Sequence, residues 1–289
     1  MYDYGARTYM PDLGRWGVSD GKGELYLSKS PYSYANNTPV NAIDPDGNLV
    51  IFINGQHGGS GGSPDYWRSS KPIGYMAING GSQFAVYARF DQAVMRQLND
   101  NNSLYRDGAL GGFINTLFAT ENVNTSATNR INSGFAQGKK DASEIIKNLA
   151  RDSSTGEIVE TIKIITHSMG GAYGNGYVKA LKEYISTLPK DQQSQIKITL
   201  VADFDPFQAA SFKANSNIKT QQFMHEDNEN VKGMGWLANE QEEGAQQVPP
   251  AQGDSSDHSI LSFFNDINNM EEGTYKWNGS SWTCTNCNH

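Results

Sequence analysis

A serine at position 168 stands between a run that predicts a strand and a run that predicts a helix. Residues 160–165 alternate and are rich in β-branched side chains, which favour strands. Residues 172–188 place apolar side chains at helical spacing. Gly170 and Gly171 leave room for the tight turn of a nucleophile elbow, which lifts a serine oxygen clear of a sheet. The chemistry that this arrangement predicts is nucleophilic attack on an acyl carbon.

One position departs from the usual elbow pattern, because Thr166 stands where the first glycine is expected. Threonine is small enough to be accommodated there. The alternative interpretation is a serine that only caps a helix, followed by glycines that allow close packing. The order of strand, turn and helix favours the nucleophile, since the helix N-terminus also stabilises developing negative charge.

A nucleophilic serine needs a base and an acid from later in the chain. His258 precedes a run that predicts the last helix, which is the expected place of the base. Two carboxylates compete as the acid: Asp227 follows the strand predicted at 220–224, and Asp205 follows the strand predicted at 196–202. We favour Asp227 and rank Asp205 second.

The remaining polar candidates near these positions have simpler explanations. His225 is the fallback base if His258 fails, and His167 is expected to point into the core side of the elbow. Asp203 reads as an exposed turn carboxylate.

Backbone amides for an oxyanion hole are predicted at two places. The apolar run 48–54 predicts a strand buried on both faces, and a glycine-rich loop, 55–62, follows it. Gln56 and His57 are therefore candidate donors through their N–H groups, and Met169, directly after the serine, is the other. The alternative of a phosphate-binding loop is weak, because no Gly-Lys-Ser/Thr follows.

The remaining pattern predicts strands and helices in alternation, which is typical of an α/β fold with a mostly parallel sheet and flanking helices. The further predictions are helices at 84–98 and 129–151, a last helix opened by residues 257–260, and a short strand that runs into a turn over 103–108. A loop at 108–128, a mobile polar loop at 238–257, where lid behaviour is left open, and a hairpin at 274–287 are also predicted.

Composition bounds the function. The chain has 289 residues and a formal charge of −8, which speaks against a nucleic-acid partner and is compatible with a lipid or neutral substrate. No apolar stretch approaches a bilayer span and no signal sequence opens the chain, so we do not expect an integral membrane protein. Cys284 and Cys287 suggest a local disulfide or free thiols rather than half a zinc site, and no metal or cofactor is expected.

Residues 1–47 have a different pattern from the rest of the chain: alternating tyrosines are interrupted by Gly, Pro and Asn residues, which predicts short strands and tight turns. The segments that carry this pattern are Tyr2–Arg7, Leu13–Trp16, Ser30–Asn37 and Pro39–Gly47. They resemble the RHS-repeat-associated core, the last piece of the YD-repeat shell of bacterial polymorphic toxins. The resemblance implies an RHS core remnant at 1–47 and a variable C-terminal toxin domain at 48–289. The spacing from Pro39 to Gly47 resembles the family's self-cleavage boundary, although Asn48 stands where a leucine is usual and Asp44 reads as a turn residue.

The elbow Thr166–Gly171 resembles those of lipases and esterases, and the order Ser168, Asp227, His258 is that of α/β-hydrolases. Together the two resemblances imply a carboxylic-ester hydrolase, lipase- or phospholipase-like, that is secreted or delivered into a target cell. They also imply two partners, the RHS shell and a cognate immunity protein. The alternatives are an amidase or thioesterase on the same triad, and an inert binding or structural tip domain. A nuclease is disfavoured by the acidic balance.

Overall fold

The structure, a computed structural model, divides into two compact units, Met1–Pro45 and Asp46–His289. It describes residues 48–77, 83–111, 126–215, 217–225, 240–251, 258–277 and 282–286, together with three short strands, Tyr2–Asp3, Thr8–Met10 and Arg15–Trp16. These three strands form an antiparallel sheet in the smaller unit. The self-cleavage segment 39–47, Asp227 and Cys287 lie outside the described residues.

The larger unit contains a six-stranded sheet in which every neighbouring pair is parallel. Its strands are β1 (Asn48–Asn54), β4 (Asn102–Asp107), β5 (Thr161–His167), β6 (Ile198–Phe204), β7 (Thr220–Phe223) and β8 (Gln246–Val248). Two antiparallel hairpins accompany the sheet, β2 (Gly74–Ala77) with β3 (Gln83–Val86), and β9 (Thr274–Trp277) with β10 (Trp282–Asn286). The helices are α1 (Phe90–Gln97), α2 (Ala127–Asn148), α3 (Gly170–Thr187) and α4 (Lys190–Gln195). This architecture confirms the predicted α/β class.

The strand order across the sheet, β8-β7-β6-β5-β1-β4, reverses direction between β1 and β5. From β1 the chain moves outward to β4, and it then returns to the other side of β1 to build the remaining strands in order. In open α/β sheets, ligands bind outside the carboxyl ends of the strands at such a reversal. The loop after β1 and the serine after β5 both lie at this point.

Apolar side chains of each central strand alternate between two cores. In β1, Leu49, Ile51 and Ile53 face the core that α2 and α3 cover, whereas Val50 and Phe52 face the other core. The second core is covered by α1 and by two 3₁₀ turns, Ile260–Phe263 and Asp266–Asn269. Both faces of the sheet are therefore buried, as the continuous apolar run in β1 predicts.

Three local predictions are wrong. Residues 83–86 form β3 rather than the start of a helix, because they pair with β2, and the helix begins only at Phe90. The predicted last helix is instead the two short 3₁₀ turns. Within the predicted mobile loop 238–257, residues 246–248 form β8, which pairs with β7 and extends the sheet.

Candidate active site

Ser168 occupies a strained turn between β5 and α3. Its backbone has φ of 56°, in the left-handed region that a serine rarely adopts. Its N–H donates to the Phe204 carbonyl at 3.0 Å, and its own carbonyl accepts from Gly171 and Phe207. A Cβ on Gly170 would lie 2.3 Å from the Ile53 carbonyl oxygen, so a larger residue there would push α3 away from β1. The turn therefore has the geometry that the elbow pattern predicts.

The structure brings Ser168, His258 and Asp205 into one hydrogen-bonded chain. The His258 Nε2 atom lies 2.9 Å from the Ser168 Oγ, and its Nδ1 lies 3.2 Å from Asp205 Oδ2. A carboxylate oxygen can only accept, so the Nδ1 of His258 carries the proton and its Nε2 is the acceptor for the serine hydroxyl. This tautomer is the one that can remove a proton from the serine.

Asp205, which the sequence ranked second as the acid, therefore occupies the position beside His258. The carboxylate follows β6 directly, and its backbone N–H donates to the Phe223 carbonyl of β7 at 2.8 Å. Its φ of 41° is also in the left-handed region, so Asp205 and Ser168 both stand on strained turns at neighbouring strand ends.

Two histidines contact the same carboxylate. His225, two residues after the end of β7, places its Nδ1 3.2 Å from Asp205 Oδ2, the same oxygen that His258 contacts. Burial raises the pKa of Asp205, but the hydrogen bonds from His225 and His258 outweigh it, and the pKa lies below its ordinary value. The carboxylate is therefore ionised at neutral pH.

His167 is buried beneath the elbow, as predicted. Burial lowers its pKa to about 3, so the ring is neutral. Its Nδ1 lies 2.5 Å from the hydroxyl of Tyr66, and its ring packs 5.1 Å from the ring of His258. Tyr66 also lines a cavity of about 580 Å³ with Ser63 and Arg68. An open, polar space thus lies one side chain away from the elbow.

The loop after β1 is ordered by polar contacts. The His57 Nε2 atom lies 3.0 Å from Asp107 Oδ2, and its Nδ1 accepts the Gly59 N–H. Asn54 accepts the Gly62 N–H at 2.7 Å. The side chain of His57 therefore holds the loop to the end of β4, whereas Gln56 is exposed.

The start of this loop lies against Ser168. A Cβ on Gly55 would lie 2.5 Å from the Ser168 Cβ and 3.0 Å from its Oγ. The backbone that leads into Gln56 therefore passes beside the serine oxygen. Met169, the residue after the serine, is the N-cap of α3.

Behind the elbow, Thr166 donates its hydroxyl to Asp203, whose carboxyl group also hydrogen-bonds Glu242. Asp203 is thus buried, not the exposed turn carboxylate that the sequence suggested. Burial raises the pKa of Asp203 to about 6, and burial together with the charge of Asp203 raises the pKa of Glu242. Two neighbouring buried carboxylates repel each other, so the pair holds a proton at a higher pH than either carboxyl group would in water.

We expect Glu242→Gln to stabilise the protein, relative to the parent, more at pH 8 than at pH 5. Between pH about 4 and about 6 the folded chain holds protons on this pair that the unfolded chain has lost, so stability falls as pH rises. A glutamine amide donates to Asp203 without ionising. The stability difference between variant and parent should grow by about 1.4 kcal/mol or more from pH 5 to pH 8, the free energy of one pKa unit.

Urea unfolding at the two pH values measures this difference. The matched control is Glu243→Gln, the next carboxylate along the chain, which is exposed and pairs with Lys213 at 2.5 Å. An equal pH dependence in both variants would contradict the proton held by this pair.

Among the described residues, no group of three or more His, Cys, Asp or Glu side chains is arranged to hold a metal ion. The part of the chain that the structure describes also contains no helix long and apolar enough to cross a bilayer. The predicted C-terminal hairpin is present as β9 and β10, with Cys284 in the second strand.

Comparison with known proteins adds one partial similarity. No family model matches the chain. A stretch of 53 residues, 18% of this chain, is 47% identical to Salivary gland surface protein 1 of Aedes aegypti. The match covers 2% of that protein, so the chain spans only a small fraction of its length.

Proposed function

We propose that the chain is a serine hydrolase of carboxylic esters that works through an acyl-serine intermediate. The observation that carries this proposal is the continuous path from Ser168 Oγ through His258 to Asp205, with distances of 2.9 and 3.2 Å. We also infer an α/β-hydrolase fold. The nucleophile follows β5, the acid follows β6 and the base comes last in the chain, which is the order Ser, Asp, His of that fold.

In the first step, the Ser168 oxygen attacks the ester carbonyl carbon while its proton passes to His258 Nε2. The carbonyl π electrons move to the oxygen, which becomes an oxyanion. Asp205 stabilises the imidazolium that forms on His258. The imidazolium then gives its proton to the leaving alcohol, the C–O bond to that alcohol breaks, and the acyl group stays on Ser168. Water, activated by His258, reverses these steps and releases the acid.

The oxyanion would be held by the N–H groups of Met169 and Gln56. Met169 follows the nucleophile at the N-terminus of α3, where the helix dipole favours negative charge. Gln56 directly follows Gly55, which lies against Ser168. Each donor of this kind contributes about 3–4 kcal/mol to transition-state stabilisation in a serine protease.

The biological setting rests on the N-terminal sequence. We propose that residues 48–289 are the toxin domain of an RHS polymorphic toxin, because residues 1–47 resemble the RHS-repeat-associated core. A lipid ester fits an acidic chain that lacks the clustered basic residues of nucleic-acid enzymes. An immunity protein in the producing cell and the RHS shell would be its partners.

Reaction with a fluorophosphonate probe tests the proposed chemistry. We expect covalent labelling of the folded protein at Ser168, located by peptide mapping, and no labelling of Ser168→Ala. Ser262→Ala is a matched control, since it removes another buried hydroxyl that lies outside the triad. Labelling elsewhere, or absence of labelling in folded parent protein, would contradict the proposal.

Substrate panels then separate the classes of acyl transfer. We expect turnover of lipid and short-chain esters in preference to matched amides and thioesters. Preferential cleavage of the amide series would replace the ester proposal with an amidase on the same triad.

A further inference from the structure

Two imidazole rings contact the same carboxylate oxygen of Asp205. His225 and His258 both place Nδ1 3.2 Å from Oδ2. Their surroundings differ, because the His225 side chain is 5% exposed and packs against the Phe263 ring at 4.1 Å, whereas His258 is 17% exposed and reaches Ser168. A triad needs one histidine at the carboxylate, so the second contact needs its own explanation.

The site deprives Asp205 of water. Its side chain is 2% exposed, and Oδ1 has no hydrogen-bond partner among the described residues. A buried carboxylate that lacks donors takes up a proton, and a neutral acid cannot stabilise the imidazolium of His258. Within the described side chains, the donors that face Oδ2 are His225 and His258.

The backbone holds the second histidine in place. His225 leaves β7 two residues after Phe223, whose carbonyl accepts the Asp205 N–H at 2.8 Å. The strand that fixes the acid therefore also carries His225. Its position is independent of the segment that delivers His258, which comes from residues after β8.

We propose that His225 is a positioning residue that donates its Nδ1–H to Asp205 and keeps the carboxylate ionised and oriented while His258 gains and loses the serine proton. His225 itself exchanges no proton with the substrate. This inference rests on the proposed hydrolase function, and it goes beyond the three-residue triad.

The ionisable groups around Asp205 decide whether loss of the His225 donor raises or lowers the pH at which His258 can act as a base. Besides His225 and His258, the described neighbour is His167, which is buried and neutral. The carboxyl group of Asp203, two residues earlier, forms hydrogen bonds with Thr166 and Glu242. Removal of the His225 donor leaves the negative charge of Asp205 less stabilised. The His258–Asp205 pair then binds its proton more tightly, and a higher pH is needed to free His258 as a base.

The test compares His225→Phe, which keeps a ring and removes the donor, with His225→Asn, whose side-chain amide can still donate to Oδ2. The readout is the pH dependence of kcat/KM on an activated ester and of the rate of fluorophosphonate labelling. For His225→Phe we expect the acidic limb to move by about one pH unit toward higher pH, and the rate at pH 7 to fall about tenfold, as for loss of one hydrogen bond to a charged group. The profile of His225→Asn should stay close to that of the parent.

Two results would overturn the inference. An unshifted acidic limb in His225→Phe, with or without a loss of rate, would assign His225 a packing role only. An equal shift in His225→Asn would show that hydrogen-bond donation is not what matters. Far-UV circular dichroism and thermal melts of both variants identify any general loss of fold.

A measurement without turnover keeps this inference separate from the proposed function. NMR titration of the histidine ring nitrogens gives the pKa of His258 directly in the parent and in both variants. We expect the pKa of His258 to rise in His225→Phe even if the parent is not labelled at Ser168. An unchanged pKa in His225→Phe would refute the positioning role whatever the labelling shows.

Discussion

Asp205→Asn should lower kcat/KM by about 10³–10⁴-fold, close to the loss that the same change causes in a serine protease triad. The asparagine amide can donate to His258 Nδ1, which then must accept, so the proton moves to Nε2. A protonated Nε2 cannot take the proton of Ser168. Steady-state kinetics on an activated ester and the labelling rate at pH 7 both measure the loss.

The matched variant is Asp227→Asn, the acid that the sequence favoured. Because Asp205 already contacts His258 at 3.2 Å, we expect Asp227→Asn to stay within about threefold of the parent. The reverse result, a large loss in Asp227→Asn and near-parent activity in Asp205→Asn, would show that the working site uses a different acid.

Gly134→Ala should destabilise the protein by about 2 kcal/mol or more. Helices α2 and α3 cross so closely that a Cβ at Gly134 would lie 1.9 Å from the Tyr173 carbonyl oxygen. Backbone cannot move aside as a flexible side chain can, so the helices must separate. This cost exceeds the gain of up to about 1 kcal/mol that alanine brings to a helix interior.

Chemical denaturation and thermal melts measure this change, with an expected fall in Tm of roughly 5 °C or more. Gly74→Ala in β2 is the control, because a Cβ there would meet nothing within 4 Å. A fall in Tm for Gly74→Ala as large as that for Gly134→Ala would contradict the close-packing explanation.

The elements with strong periodicity were predictable from the sequence. The apolar run of β1, the elbow strand and α3 all form where their patterns place them, because burial on known faces dictates the residue types. His258 also lies beside Ser168, since its place after the last strand of the sheet is a property of chain order.

Other features depend on contacts between distant residues, which no local pattern shows. Residues 83–86 look helical by spacing, but pairing with β2 turns them into a strand. β8 is short and polar, and only the edge of β7 reveals it as a strand. The choice between two carboxylates could not be made either, because both follow predicted strands and only the fold decides which one meets His258.

The buried charged residues could not be predicted from the sequence either. Lys163 lies in the middle of β5 without exposure and is paired with Glu272 at 3.1 Å. Arg130 is buried in α2, where it donates to Gln208 at 2.7 Å and stacks on Phe207. A polar residue at a core position reads as a break in the pattern until its partner is known.

The backbone hydrogen bond from the Ser168 N–H to the Phe204 carbonyl joins the ends of β5 and β6 before the rest of the site is synthesised. Neighbouring strands set Ser168 and Asp205 in register by themselves, whereas His258 follows Asp205 by 53 residues in the chain. A nascent chain that has emerged only as far as β8 therefore contains Ser168 and Asp205 but not yet His258. Under the proposed function, Ser168 gains its base only when residue 258 has left the ribosome and the following turns, with Ile260 and Phe263, have packed onto the sheet. Catalysis would begin abruptly at that moment.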